Sequence, residues 1–263
     1  MMKSLFTSAT GMQAHQTVVD ATANNLANVD TTGFKRSQVE FQDLLYQTVR
    51  SAGTQGATGA EIPTGIQIGS GVRTSGISKI FTPGVMENTG NDYDIAIQGD
   101  GFFQVALPNG DLRYTRDGSF RKNSTGQLVT SDGFIVNPPL QIPQDTQSIT
   151  VGADGTVSVT TSGAQGTSTT IGQMLLTRFP NPSGLSAEGR NLMSETAASG
   201  AAIQGPPGTT GLGSIQQQFL ERSNVQVVTE LIRLITAQRA FEASQRAVLT
   251  SDQMLQTTNG MIR

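Results

Sequence analysis

The sequence predicts an α+β fold: an all-β central domain, antiparallel and sandwich- or barrel-like, flanked by N- and C-terminal helices that pair in a coiled-coil-like terminal domain. Three observations predict it. All ten prolines and 27 of the 30 glycines lie between Gly53 and Gly213, so both ends are nearly free of helix breakers. Each end carries apolar residues at a spacing of seven, the repeat of a helix that packs along another helix. Between the ends, turn dipeptides recur every seven to nine residues, the spacing of an antiparallel meander.

Residues 1–50 read as the N-terminal helical segment of an inner domain. Leu5, Met12, Val19 and Leu26 fall every seven residues, with Ala9 and Ala23 four beyond two of them, which makes a narrow seam. Ser4 is placed to cap the start. The run Asn24-Asn25-Leu26-Ala27-Asn28-Val29-Asp30-Thr31-Thr32-Gly33-Phe34 ends the helix, because short polar side chains compete for backbone hydrogen bonds and Gly33 supplies a turn. Residues 51–70 follow as a linker or extended hairpin, with Ser51 to Pro63 rich in Gly, Ala and Thr.

Residues 71–213 read as the β-rich outer domain. Its turns are Asp100-Gly101, Asn109-Gly110, Asp117-Gly118, Thr125-Gly126 and Asp132-Gly133. Strands are expected at 95–97, 102–105, 112–115, 127–129, 134–136, 149–151, 156–159 and 174–179, where β-branched and aromatic residues concentrate. Ser199 to Gly213, with Pro206-Pro207-Gly208, reads as a surface loop.

Residues 214–263 carry the C-terminal helix of the inner domain. Ser223-Asn224-Val225-Gln226 has the capping-box pattern. Val227, Leu234, Phe241, Val248, Leu255 and Ile262 then repeat at seven, with Gln238, Gln245 and Asp252 at the second seam position and Asn259-Gly260 as a stop. The first two turns add Val225, Val228, Leu231, Ile232 and Ile235, a wider apolar perimeter than one partner helix covers. A helix of about 35 residues spans roughly 50 Å, which points to burial among several chains and to ends that order on assembly.

Composition excludes several functions. Charged residues make up 14% and the net charge is −3, so there is no basic footprint for nucleic acid. Absence of cysteine removes disulfides, thiolate metal sites and a cysteine nucleophile. No cleavable secretory signal and no membrane span is expected. The lone His15 has no carboxylate near it in sequence. Asp92, Asp94 and Asp100 start like a calcium loop, but Phe103 stands where the closing glutamate belongs. The glycines of residues 53–59 and Gly69-Ser70-Gly71 lack the lysine of a phosphate loop. Glu61 and Glu87 are carboxylates of the kind any β-protein carries, which is weak ground for a glycosidase pair. The expectation is therefore no catalytic, cofactor or metal residue.

Motifs at both ends point elsewhere. Ser4-Leu5-Phe6, Thr10-Gly11-Met12, Asn24-Asn25-Leu26-Ala27-Asn28 and Thr32-Gly33-Phe34-Lys35-Arg36 resemble the N-terminal motif of the axial proteins that build the rod and hook of the bacterial flagellum. Leu220-Glu221-Arg222-Ser223-Asn224-Val225, Glu230-Leu231-Ile232, Ala237-Gln238-Arg239-Ala240-Phe241-Glu242 and Asp252-Gln253-Met254-Leu255 are similar to that family's C-terminal signature. Gly99-Asp100-Gly101-Phe102-Phe103-Gln104-Val105 and Tyr114-Thr115-Arg116-Asp117-Gly118-Ser119-Phe120 resemble its core β-domain. Asp30 stands where asparagine is usual and Phe241 where tyrosine is common.

The resemblance is closest to subunits of the distal rod, and it implies a structural, non-enzymatic role. Such subunits form a tubular helical homopolymer that transmits torque from motor to hook, with terminal helices inside and the β-domain outside. It implies contacts with proximal rod, hook and ring proteins, passage through the flagellar type III export apparatus without a cleaved signal, and a place in the periplasm. It implies no cofactor, no nucleic acid and no membrane insertion. Leu5, Met12, Val19, Leu26, Val227, Leu231, Leu234, Phe241, Val248 and Leu255 are the expected assembly interface. Asn24, Asn25, Leu26, Asn28, Gly33, Phe34, Ser223 and Asn224 are the expected motif residues. A hook or proximal rod subunit is the alternative within the family. A secreted glycan-acting or glycan-binding β-protein with oligomerising ends is the alternative outside it.

Overall fold

The computed structural model describes residues 2–53, 64–161, 168–209 and 211–261. Most of the Ser51 to Pro63 segment, Glu61 included, and Ile262 lie outside the described residues. The fold is α+β as the sequence predicts: two terminal helices flank antiparallel β-structure. The chain divides into two compact units, residues 1–26, 37–78 and 226–263 in one and residues 27–36 and 79–225 in the other.

The first unit holds both helices, α1 (Met2–Ala27) and α2 (Val227–Gly260), and four strands. These are β1 (Ser37–Asp43), β2 (Gln47–Arg50), β3 (Ile66–Ile68) and β4 (Val72–Lys79). β1 pairs with β4, and β2 pairs antiparallel with β3 as an extended ribbon. Residues 37–43 and 47–50 are therefore strand and not a continuation of the helical segment. These ribbons bury almost nothing, so they lack the one-sided apolar alternation that reveals a strand in sequence.

Helix boundaries differ from expectation at both starts. α1 begins at Met2, so Ser4 lies inside the helix and its hydroxyl sits 3.4 Å from that of Ser251. α2 begins at Val227 behind Gln226, with no side-chain cap. The capping box does not form because Ser223 and Asn224 are engaged before the helix starts. Ser223 Oγ accepts from the Val225 amide, and the Asn224 side chain bonds to backbone elsewhere in its own unit.

The second unit is β-rich. Its strands are β5 (Met86–Asn88), β6 (Ile95–Gln98), β7 (Phe102–Ala106), β8 (Leu112–Thr115), β9 (Arg121–Lys122), β10 (Leu128–Val129), β11 (Ile135–Asn137) and β12 (Thr146–Val151). There follow β13 (Thr156–Thr161), β14 (Ser168–Gln173), β15 (Leu176–Arg178), β16 (Ser186–Gly189), β17 (Leu192–Ser194), β18 (Ile203–Gly205), β19 (Ser214–Gln217) and β20 (Phe219–Glu221). The main sheet runs β16-β17-β8-β7-β11-β10-β9, with β15 joining β7 to β18. β12, β13 and β14 form a second sheet, and β19 and β20 return to pair with β6 and β5. Residues 214–221 are thus strand, as is part of the loop expected at 199–213.

Three of the five expected turn dipeptides close as predicted, at Gly110, Gly126 and Gly133, and Gly155 makes a further turn that the sequence reading did not name. The amides of Gly110, Gly126, Gly133 and Gly155 donate to the carbonyl three residues back, at φ values of 83 to 88° that only glycine adopts without strain. β7 is buried on both faces. Phe103 and Val105 enter the main core with Phe120, Val157 and Leu176, while Phe102 turns to a smaller cluster with Tyr114, Phe179 and Met193. Edge-to-face ring pairs Phe103–Phe120 at 5.1 Å and Tyr114–Phe179 at 4.7 Å fix the two sides.

Candidate assembly surface

α1 and α2 run side by side in opposite directions. Ser4 meets Ser251, Gly11 faces the Ser244 hydroxyl, and Asn25 Nδ2 donates to Glu230 Oε2 at 3.2 Å. Each step of seven down α1 is matched by a step of seven back along α2. Val18 and Ala237 fill the intermediate step and line one groove together. Toward the N-terminus of α1 the seam is made of small residues, Ser4, Gly11, Ala237, Ser244 and Ser251. A Cβ on Gly11 would already touch Ser244 at 3.5 Å, so the helices approach closely through glycine, alanine and serine.

This register corrects the second seam position. Gln238, Gln245 and Asp252 are exposed, and Glu230, Ala237, Ser244 and Ser251 take the place assigned to them. A glutamine opposite Gly11 would hold the helices apart. On α1, Ala9 and Ala23 are likewise exposed, while Ala14 and Thr22 are buried.

The heptad residues flank this seam. Leu5, Met12, Val19 and Leu26 on α1 and Leu234, Phe241, Val248 and Leu255 on α2 are all half-buried, so one partner helix covers each of them only in part. Val227 and Leu231 are exposed. Beyond them Val228, Ile232 and Ile235 are 70, 60 and 48% exposed. These three side chains give α2 an exposed apolar face of the kind that interaction surfaces use.

Buried Glu230 is held by Asn25 and by Arg233 at 3.1 Å. The Asn25 side chain also pairs with the Ser37 backbone like a neighbouring strand, accepting from its amide and donating to its carbonyl at 2.8 Å each. This explains the asparagine in the N-terminal motif.

In the second unit the motif segments converge on Glu221. Its Oε1 accepts from Lys35 Nζ at 2.6 Å and from the Gly84 amide at 2.9 Å, and Arg116 Nε stands 3.1 Å from Oε2. All three side chains are at most 3% exposed. Arg116 also donates to the carbonyls of Gly101 and Gly99, and Lys35 to that of Thr82. Two cations share one carboxylate. Burial lowers the Lys35 ammonium below its ordinary range, with Glu221 opposing and Arg116 adding to the shift. Burial likewise lowers Arg116.

Residues 31–36 are strapped to this site. Gly33 has φ +65° and donates to the Glu221 carbonyl, and a Cβ there would lie 2.7 Å from the Arg116 and Asp117 backbone. The Asp117 carboxylate accepts from Thr32 and Asn191. Asn224 Oδ1 accepts from the Arg36 amide, and its Nδ2 donates to the Ile80 carbonyl. Phe34 lies beneath the Lys79 ammonium at 5.6 Å. Among the other motif residues, Asn28 accepts from Thr31 and Asn24 is on the surface.

The sequence reading missed Lys35, Arg116, Glu221 and Glu230. The available signal was scarcity: with few charges in the chain, a lysine and a glutamate inside otherwise apolar or turn-forming motifs had to be paired if buried. Three of the carboxylates considered for metal or glycan chemistry, Asp92, Asp94 and Glu87, are occupied otherwise. Asp94 accepts from Thr89 and Asn91, Asp92 from Gln218, and Glu87 faces Arg222 at 3.5 Å. His15 is half-buried in the groove wall of the first unit.

Three family models match the chain. "Flagella basal body rod protein" covers residues 5–35, "Flagellar hook protein FlgE/F/G D1 domain" residues 96–159, and "Flagellar basal body rod FlgEFG protein C-terminal" residues 216–261. The flagellar basal-body rod protein FlgG of Buchnera aphidicola subsp. Schizaphis graminum is 47% identical over 256 residues, covering 97% of this chain and 98% of that protein. The FlgG protein of Borreliella burgdorferi is 45% identical over 265 residues, with complete coverage of both. By contrast, the flagellar hook protein FlgE of Helicobacter mustelae is 40% identical over 137 residues, which is 52% of this chain and 30% of that protein. The hook alternative and the glycan-acting alternative give way to these full-length matches. The chain belongs to the FlgG family of flagellar basal-body rod proteins and is a structural subunit of the rod.

Proposed function

We propose that this subunit polymerises with copies of itself into the tubular distal part of the rod, and that its terminal helices carry torque between copies. The observation behind this reading is the apolar face of α2 that α1 leaves open at Val228, Ile232 and Ile235. Proximal rod, hook and ring proteins are its neighbours in this reading. It reaches the periplasm through the flagellar type III apparatus and acts mechanically, without turning over a substrate. Among the described residues, no helix is long and apolar enough to cross a membrane.

A seam of small residues buries little apolar area, and isolated helices are marginal in water. The helix pair therefore gains most of its stability on assembly. Hydrogen exchange on dilute monomer and on polymer tests this. Amides of residues 5–26 and 230–255 are expected to exchange within minutes in the monomer and to become protected in the polymer. Full protection in the dilute monomer would overturn ordering on assembly. Failure of the purified chain to polymerise at any concentration would overturn the self-assembly reading.

A further inference from the structure

The first unit holds a concave apolar feature and a convex one, and neither is filled or covered by the described residues. The concave feature is a groove of about 450 Å³ walled by Val18 of α1, Val39 and Phe41 of β1, and Ile232, Thr236 and Ala240 of α2. The convex feature is the corner between β1 and β2, where Leu45 is 89% exposed and Tyr46 56% exposed. That corner is rigidly built. The Leu44 amide donates to the Gly71 carbonyl, Ser70 Oγ donates to the Leu45 carbonyl at 2.7 Å, and the Tyr46 ring packs over Gly69. Gly71 in turn lies against Thr10 of α1, with no room for a side chain.

The bonds from Leu44 to Gly71 and from Ser70 to Leu45 lie within the strand ribbons, so they order the Leu45 corner without the helix pair and lower the cost of docking it as a knob. An open helical polymer requires a contact between two different patches of the same chain, whereas a contact between identical patches closes into a dimer. We propose that the Leu45 corner of one copy inserts into the groove of a second copy between its α1, β1 and α2. This rests on the self-assembly reading above and names the contact that propagates it. Charge agrees with the fit. Exposed Asp43 precedes the knob, and Arg233, 40% exposed and sharing its guanidinium with Glu230 at 3.1 Å, stands on the groove rim.

The chain has no cysteine, so single cysteines report the contact directly. Full-length Leu45→Cys and Thr236→Cys are mixed, polymerised and oxidised. A covalent dimer containing one of each is expected, in yield at least ten times that from Leu45→Cys mixed with Arg246→Cys, whose position lies outside the groove lining. A second variant, Thr236→Phe, fills the groove from an exposed helix position and is expected to raise the critical concentration at least tenfold with unchanged circular dichroism of the monomer. Polymers that form normally without the specific cross-link, or that tolerate Thr236→Phe, would overturn the knob-and-groove contact while leaving self-assembly intact. A wild-type chain that does not polymerise would instead remove the reading on which the proposal rests.

Discussion

Replacing Glu221 with glutamine is expected to lower the stability of the β-rich unit by about 3–5 kcal/mol, the cost of leaving buried charge without its counter-ion. The substitution removes the one carboxylate that is ion-paired with both Lys35 and Arg116, both of them almost fully buried. Lys35→Met is expected to be far milder, at under about 1.5 kcal/mol. It leaves Arg116 and Glu221 as a one-to-one pair, Gly84 still donates to Oε1, and the Thr82 carbonyl still accepts from Asn224. Denaturant midpoints followed by far-ultraviolet circular dichroism separate the two cases. Equal losses for both variants would show that charge balance at Glu221 does not govern the stability of this unit.

Leu234→Asp and Phe241→Asp are expected to abolish polymerisation while leaving the β-rich unit folded. Both side chains flank the helix seam and are half-buried, and in the proposed assembly the remaining half would meet a neighbouring copy. A carboxylate there is buried without a partner, at a cost of about 3 kcal/mol or more, which raises the critical concentration roughly a hundredfold. Sedimentation measures the polymer, and the dispersed β-domain resonances in an NMR spectrum report the fold. Polymerisation of either variant at wild-type concentration would remove the seam flank from the interface.

Much of this was legible in the sequence because it rests on local chemistry. The glycine turns at 110, 126 and 133 mark the meander, since a positive φ is a requirement that the residue type itself declares. The strand Phe102–Ala106 was evident from its apolar run, and burial on both faces accounts for it. The strands of residues 37–43, 47–50 and 72–79 were not evident, because strands exposed on both faces have no alternation to read.

The seam was half legible for a different reason. A search for apolar residues finds Leu234, Phe241, Val248 and Leu255 but passes over Ala237, Ser244 and Ser251, whose contribution is their small size. That property matters only once Gly11 is known to stand opposite. The Lys35, Arg116 and Glu221 cluster joins residues 81 and 105 positions apart, so no local pattern could show it. Asn25 and Asn224 stood out as motif residues, and the structure supplies their work: each replaces a missing backbone partner, at Ser37 and at Arg36 respectively.

The central claim is that the open apolar face of α2 is covered by other copies of the same chain. Electron cryomicroscopy of the polymer assembled from the purified full-length protein tests it most directly. The predicted result is a hollow helical tube in which Val228, Ile232 and Ile235 of every copy are packed against neighbouring copies. A polymer held together through the β-rich units alone, with those three residues facing solvent, would contradict it.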